Sequence, residues 1–147
     1  MANIPSWDSV IKGMIIILSQ KSKDPRGQVG AMLVDPDYRI FVPGYNGFAP
    51  GADDDPAIYN RESDWMGFSK DDMIIHAEIN AIFNCPRRPV GWTLYVTHDP
   101  CVRCAAHIHA NGIIRVVTLG RKTQNEGYHM SDRGIAYLRL NGITVDS

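Results

Sequence analysis

Two short segments constrain this chain more than anything else in it: His76-Ala77-Glu78, and Pro100-Cys101-Val102-Arg103-Cys104. One histidine and two cysteines are three metal ligands of the kind zinc prefers. Three protein ligands leave a fourth position open, which marks a catalytic zinc rather than a closed structural one. A structural site would need a fourth ligand, and Cys85, His98, His107 and His109 are all available as residue types. Read singly, each segment is weak: a His-x-Glu is usually surface decoration, and a C-x-x-C can serve structural zinc, redox chemistry or nothing. Together they have the order and separation of a catalytic set, and each sits at a predicted helix start that follows a predicted strand.

The 147 residues suffice for one domain with its own core, and we read 1–147 as a single catalytic domain. Fifteen Lys and Arg against sixteen Asp and Glu leave a net charge of −1. A polynucleotide binder usually carries a basic surplus, so the balance favours a small substrate. No apolar run approaches the ~20 residues that span a bilayer, and Met-Ala-Asn-Ile-Pro lacks the basic start of a signal peptide. Three cysteines make no disulfide framework. Thiolate ligands suit a reducing, cytoplasmic setting.

Periodicity and turn signals predict helices over 6–21, 75–84, 101–111 and 131–140, with Ser6 and Ser131 as caps. They predict strands over 29–34, 39–45, 92–97, 113–119 and 143–145. Residues 46–72 form a long connection with three consecutive acids, Asp53 to Asp55; such a connection is a functional loop or holds short structure of its own. Alternating strands and helices imply an α/β domain with a mixed sheet.

The ligand types suit a hydrolysis. Water is a poor nucleophile at neutral pH, and zinc lowers the pKa of water bound to it to about 7 in favourable sites. Cys101 and Cys104, three apart, share a face of one helical turn, and the helix N-terminus stabilises both thiolates. Pro100 suits the start of that helix. Glu78 is then free to act as a proton shuttle rather than a ligand. His76 and Glu78 are two apart and would diverge in mid-helix, so the pair works only if His76 stands at the helix start, with Asp71 or Asp72 as candidate caps. The H-x-E…P-C-x-x-C pattern is the signature of zinc nucleobase deaminases.

Longer stretches sharpen this. Ser22-Lys23-Asp24-Pro25-Arg26, Val29-Gly30-Ala31, Gly44-Tyr45-Asn46-Gly47, Pro50-Gly51, His76-Ala77-Glu78-Ile79-Asn80-Ala81-Ile82, Leu94-Tyr95-Val96-Thr97 and Pro100-Cys101-Val102-Arg103-Cys104-Ala105 run in one order. In these the chain resembles the deoxycytidylate (dCMP) deaminase family. The resemblance implies a three-layer α/β/α cytidine deaminase-like domain, with a mixed sheet of about five strands and helices on both faces. It implies one Zn²⁺ held by His76, Cys101 and Cys104, with Glu78 catalytic in the hydrolysis of dCMP to dUMP and ammonia.

It also implies substrate contacts from Asn46 (to the deoxyribose 3′-hydroxyl), from Ser22 and Arg26 (to the phosphate) and from Ala77. A guanidinium fork matches phosphate oxygens. Read alone, Arg26 is a solvated turn residue and Asn46 a turn-former beside Gly47. Members of the family are homohexamers, activated by dCTP with Mg²⁺ and inhibited by dTTP. The resemblance places that nucleotide near Gly44, Asn46 and Gly47 and the loop bearing Asp53 and Asp54, although three loop acids are most often simply solvated. One departure stands out. The family's aromatic residue near the substrate phosphate has no counterpart in Val116 to Lys122, and Thr123 to Met130 aligns poorly, so Arg121, Lys122 or Tyr128 would take its place. This leaves a dCTP-preferring or bifunctional enzyme on the same scaffold as the alternative.

Overall fold

The computed structural model describes residues 2–59, 67–122 and 130–147. Its elements run α1 (Trp7–Ser19), β1 (Gly30–Val34), β2 (Phe41–Tyr45), a 3-10 turn (Pro56–Tyr59), α2 (Lys70–Met73), α3 (Ala77–Asn84), β3 (Thr93–His98), α4 (Val102–Ala110), β4 (Arg115–Arg121), α5 (Met130–Leu140) and β5 (Thr144–Asp146). The five strands form one sheet in the order β2-β1-β3-β4-β5. β1 is antiparallel to both β2 and β3, whereas β3, β4 and β5 run parallel. The expected mixed sheet is present, and the long connection does hold short structure: the 3-10 turn and α2.

Side-chain alternation along the central strands builds the two apolar layers. Ala31, Leu33, Leu94, Val96 and Val116 face one side, where they pack with Ala77, Ala81, Ala105, Ile108 and Leu138 from α3, α4 and α5. Met32, Val34, Tyr95 and Val117 face the other, against Ile11 and Ile15 of α1. Helices therefore cover both faces. β1 and the middle of β3 are buried on both sides, so they read as continuous apolar runs.

The layers touch at backbone distance in two places. A side-chain carbon at Gly30 would overlap the Ile15 carbonyl of α1, and one at Gly44 would overlap Ala77 and Ala81 of α3. Asn80 and Asn84, one turn apart on α3, donate to the Tyr45 and Pro43 carbonyls of β2 at 2.8 and 2.9 Å. This occupies acceptors of the edge strand that would otherwise be open to pairing. α1 is held at its start by Asp8, which accepts from the Tyr95 hydroxyl at 2.6 Å and from the Arg115 guanidinium at 2.7 and 3.2 Å. Arg115 also reaches Asp146 of β5 at 2.7 Å.

Two local expectations are corrected. Asp72 does not cap the helix that follows His76; it forms a capping box with Ser69 around α2. Pro100 does stand just ahead of α4, next to its N-cap Cys101. α5 begins at Met130, ahead of the expected cap Ser131.

Candidate active site

His76 is the N-cap of α3, with extended backbone angles (φ −68°, ψ 153°) and no capping bond from its side chain. The spacing problem posed by His76 and Glu78 is solved there. The cap residue turns its ring out of the helix, while Glu78 points inward from the first turn and is buried. Cys101 is the N-cap of α4 with the same extended backbone, and its sulfur accepts from the Cys104 N–H at 3.5 Å. Two helix N-termini thus supply all four residues, and both dipoles favour negative charge at this point.

The donor atoms of His76, Cys101 and Cys104 all lie within 4.8 Å of one another. His76 Nδ1 is 3.2 Å from Cys104 Sγ and 3.6 Å from Cys101 Sγ. Zinc bonds of about 2.0 Å to nitrogen and 2.3 Å to sulfur would place tetrahedral donors about 3.5–3.8 Å apart. One nitrogen and two sulfurs at this separation fit zinc, and no other His, Cys, Asp or Glu joins the cluster among the described residues. The donors grade inward from exposed His76 through half-buried Cys101 to buried Cys104.

The electrostatics of the cluster are those of a site that gives up a proton when it takes a metal. Hydrogen bonds from Cys104 and then His76 pull the Cys101 thiol down to about 4, against the effect of burial. The bond to Cys101, followed by burial, pushes Cys104 well above its ordinary range. The bond to Cys101 also raises His76. Burial raises the Glu78 carboxyl above the ordinary glutamate value, while the neighbouring His76 opposes that rise. A carboxyl shifted upward by burial, beside a metal-ligand set, is suited to carrying protons in a reaction.

The other expected residues are placed as follows. Asn46 is buried, and both ends of its side chain are engaged: Oδ1 accepts from the Val29 N–H at 2.9 Å, and Nδ2 donates to the Gly27 carbonyl at 2.7 Å. Ser22 is buried in the 22–26 turn, its hydroxyl oxygen accepting from the Asp24 N–H at 3.3 Å. Arg26 is half-buried, with its backbone N–H on Asp24 Oδ1 at 3.0 Å. Ala77 is fully buried at the first position of α3. Gly47 bridges to Ile75, the residue before His76.

Asp53 accepts from the Asp55 N–H at 3.1 Å, and Asp54 pairs with Lys23 at 2.6 Å. Gly44 has a packing reason of its own, the close approach of α3. Arg121 ends β4 and Lys122 follows it, its amine 3.1 Å from Asp99. Tyr128 lies outside the described residues. Cys85, His107 and His109 do not join the donor cluster: Cys85 packs on the core, His107 bonds the Arg103 carbonyl and His109 the Tyr137 hydroxyl. Buried Trp92 and Tyr95 belong to the core.

Sequence reasoning assigned no role to Thr97, Gly134, Asp24 or Lys70. The Thr97 hydroxyl accepts from the Gly30 N–H at 3.1 Å and lies 2.7 Å from His98 Nδ1. Burial is the main cause holding His98 down at about 4, so the ring is neutral. A side chain at Gly134 would overlap the Pro100 carbonyl, so α5 rests directly on the start of α4. Asp24 and Lys70 form a buried ion pair. Asp24 and Thr97, inside the Ser22–Arg26 and Leu94–Thr97 stretches, carried a signal that could have singled them out; Gly134 and Lys70 carried none.

Residues 5–120 match the cytidine and deoxycytidylate deaminase zinc-binding region. The chain is 35% identical to human deoxycytidylate deaminase over 131 residues, covering 88% of this chain and 71% of the human protein. It is 37% identical to the deoxycytidylate deaminase of Mycobacterium phage D29 over 121 residues, covering 77% of this chain and 94% of the phage enzyme. Its fold matches the dCMP deaminase of cyanophage S-TIM5, whose structure was solved in complex with dCMP and dUMP. That match has a TM-score of 0.72 and 23% identity over 99% of this chain and 98% of the phage enzyme. Fold, ligand cluster and sequence agree: the chain belongs to the zinc-binding cytidine and deoxycytidylate deaminase family.

Proposed function

We propose that this protein hydrolyses the 4-amino group of dCMP, giving dUMP and ammonia. The observation that carries the reading is the buried Glu78 carboxyl, in the first turn of α3, beside the converging donors of His76, Cys101 and Cys104. Relatives named as deoxycytidylate deaminases support the substrate.

Zinc supplies the Lewis acidity that makes water a competent nucleophile near neutral pH. His76, Cys101 and Cys104 would hold it. Glu78 takes a proton from the attacking water and passes it to the ring nitrogen beside C4 as the new C4–O bond forms. A second proton, also carried by Glu78, goes to the amino group; the C4–N bond breaks and ammonia leaves. Burial serves this role twice. It raises the carboxyl so that it both accepts and donates, and it keeps bulk water from competing for the proton.

Arg26 is the group suited to the phosphate. Its backbone is locked to Asp24, and among the described residues its guanidinium makes no ion pair. Asn46 holds the 27–29 backbone and retains one lone pair and one N–H for a sugar hydroxyl. Regulation by dCTP and dTTP, with Mg²⁺, and a homohexameric assembly form the finer part of the proposal, supported by the family resemblance. No helix among the described residues is long and apolar enough to cross a membrane. Two free thiol ligands suit the reducing conditions of the cytoplasm.

The test is ammonia release from dCMP by the zinc-loaded protein, with dCTP as the competing substrate and, separately, as an added effector with Mg²⁺. Turnover of dCMP well above dCTP supports the reading. Turnover of dCTP alone replaces it with the triphosphate alternative, and turnover of neither refutes it.

A further inference from the structure

The least expected feature near the site is a buried ion pair that the chemistry does not use. Lys70 Nζ lies 2.5 Å from Asp24 Oδ2, and the two side chains are 7% and 2% exposed. Burying two charges is expensive, and a buried pair is weak grounds for stability in itself. Its placement gives it another use.

Asp24 joins two segments through one carboxylate. Its Oδ1 accepts from the Arg26 N–H, which closes the turn that presents Arg26, while its Oδ2 takes Lys70. The same turn is tied internally by Ser22, whose hydroxyl accepts from the Asp24 N–H and whose carbonyl accepts from Gln28 Nε2 at 2.9 Å. Lys70 opens α2, a single turn of four residues that is too short to hold itself together in water. From α2 the chain passes through Ile75, bridged to Gly47 in both directions at 2.8 and 3.1 Å, directly into His76. The ion pair therefore connects the segment that ends in a zinc ligand to the turn that carries Arg26.

It also settles which cation the carboxylate serves. Asp24 is already bonded to the Arg26 backbone, so with Lys70 absent its other oxygen would be left as an unpaired negative charge in the turn that carries Arg26, where it would compete with a phosphate for the guanidinium. Lys70 occupies that oxygen and leaves Arg26 available.

We propose that the Asp24–Lys70 pair is a positioning latch. It holds the Ser22–Arg26 turn at a fixed place relative to His76 and so makes the enzyme select phosphorylated substrates. The inference rests on the dCMP reading above and adds to it two positioning residues that touch no reacting atom.

The test compares zinc-loaded wild type with Lys70→Met, Lys70→Arg and the double variant Asp24→Asn/Lys70→Met. Steady-state kinetics on dCMP and on deoxycytidine, which lacks the phosphate, are read beside amide hydrogen exchange over residues 22–29. The latch predicts that Lys70→Met raises KM for dCMP about tenfold, with kcat and the deoxycytidine kinetics near wild type. It predicts faster exchange over 22–29 with zinc content unchanged, and rescue by Lys70→Arg. The double variant has no orphaned charge and guards against simple unfolding; it too should show the raised KM and the faster exchange. Equal losses on both substrates, or a wild-type KM with unchanged exchange, would overturn the latch. If wild type turns over no dCMP, the substrate reading fails by itself. The latch is then decided by the exchange rates alone, and unchanged rates overturn it.

Discussion

Gly134 of α5 lies so close to Pro100 that a side-chain carbon would overlap the Pro100 carbonyl oxygen and press on the Cys101 backbone. The helix furthest along the chain is therefore a backstop for the N-terminus that carries both cysteine ligands. Glycine inside an exposed helix ordinarily costs about 1 kcal/mol relative to alanine, so Gly134→Ala would stabilise most helices. Here the sign should reverse. Overpacking against backbone typically costs about 1–3 kcal/mol, and relief of the clash moves Cys101. Thermal unfolding should show a lower Tm, and metal analysis should show weaker zinc retention against a chelator.

The zinc ligands should separate from the core in their effects. Ser or Ala in place of Cys101, Cys104 or His76 removes one of three donors, which the open site cannot replace from nearby side chains among the described residues. Each variant should purify with little zinc and no deaminase turnover. Cys101→Ser should keep the far-ultraviolet circular dichroism of wild type, because the two apolar layers are built from residues other than this one. Collapse of the fold on loss of metal would make the site structural and contradict the reading.

On the opposite face, stability should depend on acid through Asp8. The Arg115 guanidinium beside it, helped by the Tyr95 hydroxyl and opposed by burial, holds its carboxyl below the ordinary value of 3.8. The folded state thus binds this proton less readily than the unfolded chain. The contribution is complete above pH about 4 and is lost as pH falls through the lower folded value. Asp8 is about a third exposed, so screening reduces the gain. Asp8→Asn should cost about 1–2 kcal/mol at pH 7. Urea unfolding at pH 7 and pH 3 should show that the difference from wild type narrows at the lower pH.

The site was more legible in the sequence than its supports were. His76, Glu78, Cys101 and Cys104 are recognisable because each residue type is chemically distinctive and the helix starts could be inferred from the preceding strands. Even the requirement that His76 stand at a helix start followed from spacing alone, and the N-cap geometry matches it. The cap itself was misassigned. Asp72 lies four residues upstream of His76, but a second capping pattern, Ser69 to Asp72, claims it for a four-residue helix that periodicity cannot detect. Lys70 drew no reading from the sequence, since no local pattern announces a partner 46 positions earlier in the chain. Gly134 and Gly44 are unremarkable as letters, and only the three-dimensional approach of another backbone explains them. The clamp that Asn46 makes on the 27–29 backbone is likewise announced by no local pattern.

The central claim is that Glu78 moves the protons, and Glu78→Gln measures it most directly. Glutamine keeps the shape of the side chain and cannot accept a proton. The assay is single-turnover deamination of dCMP alongside zinc content and thermal stability of the same preparation. The account predicts wild-type zinc, a Tm equal to or above wild type because a buried ionisable group has been neutralised, and a rate lower by about two to four orders of magnitude. Turnover within a few-fold of wild type in a zinc-loaded, folded Glu78→Gln protein would contradict it.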